Sequence, residues 1–97
     1  MLEKKRKPTH PGGILKRHYL EPLHVSVSEL AKVLKISRST ISKLVNEQGH
    51  ISTDIALRLS AALKTTPQLW LNLQQNYDLW QAQKNLKDLK SIHPIAA

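Results

Sequence analysis

The chain has no cysteine. Disulfides, thiolate zinc sites and cysteine nucleophiles are therefore excluded, and a reducing cytoplasm is the expected location. Aromatic residues are scarce at 4%, so aliphatic side chains must supply most of the core. Apolar runs are short, far below the roughly 20 residues that a membrane-spanning helix needs. The charged N-terminus has no apolar stretch behind it and does not read as a secretory signal. Acidic residues are few: 7 Asp and Glu stand against 15 Lys and Arg, a net charge of +8. The excess is uneven, with ten cations against four anions in residues 1–50. Such a basic half fits a polyanionic partner, or a cationic surface that is merely solvated.

What is present suffices for one small all-α domain, near the lower end of what folds alone, with 40% of its 97 residues apolar. A flexible basic arm is expected over residues 1–9, carrying Lys4, Lys5, Arg6 and Lys7, and it fits either phosphate tracking or a solvated tail. The domain proper is expected over residues 10–83, with a tail or helix extension over 84–97. Pro11 with Gly12-Gly13 opens a helix predicted over 11–19, with Ile14 and Leu15 inward and a break at Leu20-Glu21-Pro22. The glycine pair reads as a turn or close backbone packing, since nothing like a P-loop surrounds it.

Ser26 and Glu29 form an S-x-x-E capping box that starts a second helix, whose inward stripe is Val27, Leu30, Ala31 and Leu34. Lys35-Ile36 makes a tight turn. Ser37 then caps a third helix over about 38–46, with Ile41, Leu44 and Val45 inward. Ser52 caps a fourth helix with the stripe Ile55, Leu59, Ala62 and Leu63. Asp54 and Arg58 on it read as a weak surface pair at i, i+4. Thr66-Pro67 starts a fifth helix that runs to about 85 or beyond.

Helices two and three read as a helix-turn-helix. In that arrangement the second helix of the pair enters the DNA major groove and the N-terminal amides of its partner, around Ser26 to Ser28, hold a phosphate. Arg38 is placed to form a bidentate pair with guanine. Ser39 and Thr40 are permissive donors, Thr40 also offers a methyl to thymine, and Lys43 reaches a base or a phosphate. The competing reading is a helical hairpin whose charged face is only solvated.

The run Ser28-Glu29-Leu30-Ala31, then Leu34, then Ser37 through Asn46 resembles the helix-turn-helix of phage repressors (XRE/Cro type). A wider set of residues resembles the HigA branch of antitoxins: His10 to Leu15, Leu20 to Leu23, Ile55 to Ser60, Thr66-Pro67, Trp70 to Gln74 and Tyr77 to Trp80. This resemblance covers about residues 10–81. It implies a five-helix phage-repressor-like domain with an extended C-terminal helix. It also implies a homodimer on a palindromic double-stranded operator, autoregulation, and capture of a HigB-type, mRNA-cleaving toxin. DNA contacts are implied at Ser37, Arg38, Ser39, Thr40 and Lys43, with backbone contacts near Ser28 and Asn46. The family's tight turn usually carries glycine where Lys35 stands, so a left-handed Lys35 is expected. The rival functions are an XRE-type repressor without a toxin and a small RNA-binding protein.

Trp70, Leu73, Tyr77 and Trp80 fit a core stripe, a dimer contact or a stacking platform. Trp70 and Leu73 are expected inside, and Tyr77, Trp80 and the tail nearer the dimer interface. No two of the histidines, His10, His18, His24, His50 and His93, stand at i, i+4, and most fall in loops or the tail. No metal, cofactor or catalytic group is therefore expected.

Overall fold

Five residues with a side-chain acceptor set where the helices begin. The computed structural model describes residues 6–96; Lys4 and Lys5 of the expected arm, and Ala97 at the end of the tail, lie outside that range. Helix α1 covers residues 11–23, α2 Val27–Leu34, α3 Arg38–Val45, α4 Thr53–Leu63 and α5 Pro67–Asn85. Their first-turn amides are met by His10, Ser26, Ser37, Ser52 and Thr66 respectively. The four hydroxyl caps were predictable from residue type, and no strand occurs among the described residues.

The helix α1 does not break at Pro22. It opens as an α-turn over Pro11–Ile14, widens into a π-helical stretch over Leu15–Leu20 and closes over Glu21–Leu23. Proline has no N–H and its ring crowds the preceding turn. The wider turn accommodates that crowding: the Glu21 N–H reaches five residues back, to the Lys16 carbonyl. The helix stops only at His24, which is left-handed at φ 56°.

Lys35 is left-handed, at φ 59°, as expected, and Glu47 and Lys64 share that conformation. None of the three glycines does. They serve close approach instead. A Cβ on Gly12 would overlap the backbone carbonyl of Leu44, whereas one on Gly13 would meet only the ends of the Glu47 and Arg17 side chains.

The core joins Leu15 and Leu20 of α1, Leu30, Ala31 and Leu34 of α2, and Ile41, Leu44 and Val45 of α3 to Ile55, Ala56 and Leu59 of α4. Trp70 of α5 is fully buried, its ring 5.5 Å from that of Tyr19 and its indole N–H donating to Thr65 Oγ1 at 2.8 Å. Ile14, Val27 and Leu63 of the expected stripes are half-buried, packed against the edge of the core, and Ala62 is exposed; the buried stripe of α4 is Ile55, Ala56 and Leu59. Leu73 is half-buried rather than inside. Beyond Asn85 the chain leaves the helix, forms one 3₁₀ turn over Leu89–Ser91 and leaves Leu86, Leu89 and Ile92 exposed.

The glycine pair gives a direct test of this packing. Gly12→Ala forces backbone apart and is expected to cost about 1–3 kcal/mol in urea unfolding. Gly13→Ala displaces flexible side-chain ends and is expected to cost clearly less. Equal losses would contradict the close approach of α1 to Leu44.

Candidate nucleic-acid interface

The turn at Lys35 sets α2 against α3 so that the first turns of the two helices meet. Ser37 holds the start of α3: its Oγ accepts the Thr40 N–H at 3.2 Å and lies 2.8 Å from Thr40 Oγ1. Arg38, the first residue of α3, donates from Nε to Ser28 Oγ on α2 at 2.7 Å. Four of the seven expected contact residues are thereby tied in two hydrogen-bonded pairs, Arg38 with Ser28 and Ser37 with Thr40. Ser39, Lys43 and Asn46 are exposed on the same helix or at its C-terminal end. The other side of α3 carries Ile41, Leu44 and Val45 into the core, so its polar face has no competing burial.

At the start of α2 the capping box is complete. Ser26 Oγ accepts the Glu29 N–H at 3.0 Å, and the Glu29 carboxylate accepts the Ser26 N–H at 2.8 Å. These two bonds use two of the amides that would face a phosphate and put a negative charge beside the rest. Hydrogen bonding to Ser26, backbone first and side chain second, holds the Glu29 carboxyl below its ordinary value.

Three residues support this surface from behind through long-range contacts that the sequence does not announce. His10, expected at the edge of a loose arm, is only 3% exposed. Its Nδ1 accepts the Gly12 N–H at 2.9 Å and its Nε2 faces the Gly49 carbonyl at 3.1 Å. It thus starts α1 and ties the loop after α3 to it. Gln74, 5% exposed, accepts the Ile51 N–H at 2.7 Å and donates to Asp78 at 2.9 Å. Arg58 does more than pair with Asp54: its Nη1 donates to the Leu34 carbonyl at 2.7 Å, at the C-terminal end of α2. A histidine is outside the usual cap residues, and an i, i+4 ion pair gives no hint of a third partner 24 positions away.

Tyr77 and Trp80 are half-buried. Tyr77 meets the His10 ring edge-on at 4.8 Å and the Trp80 ring at 5.9 Å. The ammonium groups of Lys84 and Lys7 lie 4.9 Å and 5.7 Å from the Trp80 ring, which is within cation–π range. The last residues of the arm therefore lie against α5. Among the described residues, no three His, Asp or Glu side chains converge as metal ligands, and no helix is long and apolar enough to cross a membrane.

The family model described as helix-turn-helix matches residues 17–70. The chain is similar to the HTH-type transcriptional regulator YbaQ of Escherichia coli K12, at 42% identity over 95 residues, spanning 98% of this chain and 84% of that protein. It is also similar to antitoxin HigA-1 of Vibrio cholerae, at 35% identity over 96 residues, spanning 98% and 90%. Among solved structures, antitoxin GraA in complex with its operator superimposes with a TM-score of 0.89 at 36% identity, covering 100% of both chains.

The lowered Glu29 carboxyl gives a pH dependence with a definite sign. A group whose folded value is depressed stabilises the fold above its unfolded value, and loses that contribution as pH falls through the depressed one. An NMR titration of the Glu29 carboxyl carbon should therefore show a midpoint below that of an exposed glutamate. Fraying of the first turn of α2 should follow the same midpoint. A midpoint at the ordinary glutamate value would mean that the box does not hold in solution.

Proposed function

This chain belongs to the helix-turn-helix family, with HigA antitoxins among its relatives, and we propose from that footing that it is a sequence-specific DNA-binding repressor. The observation that carries the reading is Arg38 at the first position of an exposed helix face, tied to Ser28 at the first turn of the helix before it. The complex of GraA with its operator supports the same use of the fold.

In this reading α3 enters the major groove. Arg38 takes the edge of a guanine, Ser39, Thr40 and Lys43 contact adjoining base edges or phosphates, and Asn46 meets the backbone at the far end of the helix. Ser37 shapes the helix start. The excess of cations in residues 1–50 raises the encounter rate and the salt dependence. The action is binding rather than catalysis, and it takes place in the cytoplasm.

A palindromic operator calls for a two-fold dimer whose α3 helices are one DNA turn apart. Tyr77 and Trp80 on α5, with the exposed Leu79 between them, are the proposed contact. Kinship with HigA-1 supports a second partner, a HigB-type toxin encoded beside this chain, with the pair repressing its own operon.

The testing experiment is a titration onto duplex DNA from the upstream region of the gene, beside a scrambled duplex, at two salt concentrations. A preference of roughly a thousandfold over an inverted repeat is expected. Equal, salt-dependent binding to both duplexes would overturn the repressor reading in favour of an RNA or other polyanion partner. Arg38→Ala should cost about 1–3 kcal/mol on the operator and relax specificity at one base pair. If the neighbouring gene's product neither copurifies with the chain nor is inhibited by it, the protein is a repressor without a toxin. Separately, Trp80→Ala should raise the dimer dissociation constant at least roughly tenfold in sedimentation equilibrium. An unchanged constant would move the interface off this part of α5.

A further inference from the structure

The hydrogen bond between Arg38 and Ser28 divides the arginine's donors before any DNA arrives. A guanidinium is a planar fork with five N–H groups. It can meet a two-acceptor edge side-on, through Nε and one Nη, or end-on, through Nη1 and Nη2. Here Nε is engaged by Ser28 Oγ at 2.7 Å, which closes the side-on approach. No other side-chain hydrogen bond or ion pair of Arg38 occurs among the described residues, so both Nη groups remain for a partner.

The anchor is well fixed. Ser28 is in the first turn of α2, inside the Ser26–Glu29 capping box. Arg38 is at the start of α3, whose first turn is held by Ser37. Both ends of the bond thus belong to capped helix starts, and the Lys35 turn between them is locked by hydrogen bonds to Ala31 and Lys32. An arginine is long, with several rotatable bonds, and it loses much of its freedom when it is aimed. Ser28 imposes that loss before binding.

We infer that Ser28 is a positioning residue for base recognition: by holding Nε, it aims Arg38 so that Nη1 and Nη2 read the O6 and N7 of one guanine end-on. This assignment rests on the DNA-binding reading above and changes the part played by Ser28 within it. A serine that only touched a phosphate would add affinity on every sequence. A serine that aims an arginine adds affinity only where the guanine is present.

The test compares wild type, Arg38→Ala, Ser28→Ala and Ser28→Thr on the operator duplex. The same four proteins are measured on a set of duplexes in which each G·C pair is replaced in turn. Wild type should lose roughly tenfold to a hundredfold at one pair per half-site, and Arg38→Ala should lose that preference. Ser28→Ala should shrink the preference at that same pair by at least about fivefold and leave the other positions alone. Ser28→Thr, which keeps the hydroxyl, should restore it.

Thermal unfolding of the four proteins should be nearly superimposable, since both side chains are exposed. Uniform weakening by Ser28→Ala on every duplex would overturn the inference in favour of a phosphate contact. Full retention of the wild-type pattern in Ser28→Ala would overturn it as well. Failure of the underlying reading is distinct, because wild type itself would then show no preferred pair.

Discussion

The structure depends on the burial of one side of an eight-residue helix. Alone in water, a helix as short as Arg38–Val45 would be marginal, because nucleation is costly and few hydrogen bonds follow it. It persists because Ile41, Leu44 and Val45 are inserted among Leu15, Leu30 and Ala56. The missing side chain of Gly12 lets α1 settle against the Leu44 backbone. The loop that follows is tied down by His10 at Gly49 and by Gln74 at Ile51. Most of the domain can be understood as what keeps this helix formed with its polar side outward.

Polar groups play two parts in that arrangement. Behind the helix they are buried and fully satisfied: among the described residues, no buried side-chain nitrogen or oxygen lacks a partner. Each holds a backbone segment that would otherwise have an open amide or carbonyl. In front of the helix, the same kinds of residue work at the surface, where Ser26, Ser37 and Thr40 shape helix starts and leave Ser39 and Lys43 free. Arg38, exposed on the front face, combines the two roles: one edge of its guanidinium is held by Ser28 and the other is available.

How much of this was legible in the sequence follows from the range of the interactions involved. The capping box, the serine caps, the Thr66-Pro67 start, the apolar stripe of α3 and that of α2 apart from the half-buried Val27 are local patterns, set within four residues, and they stand where the sequence puts them. The left-handed Lys35 was legible through family resemblance. What stayed hidden depends on contacts between distant positions. Nothing beside His10 in the chain announces Gly49 or Tyr77, and nothing beside Arg58 announces Leu34. Pro22 misled because a proline is normally a stop, and only the wider turn around Leu15–Leu20 lets the helix continue. The exposed contact residues were legible as a set, but the bond from Arg38 to Ser28 spans ten positions and two helices.

The two tryptophans occupy opposite environments on one helix. Trp70 is sealed in the core with its N–H given to Thr65, while Trp80 is partly open and faces two ammonium groups. Their fluorescence therefore separates two events. Emission from the buried Trp70 should stay blue-shifted until the core opens. Emission from Trp80 should change if the Lys7 ammonium is drawn off its ring, or if another surface covers it. With no other tryptophan in the chain, the protein carries its own optical reporters for unfolding and for changes at the outer end of α5.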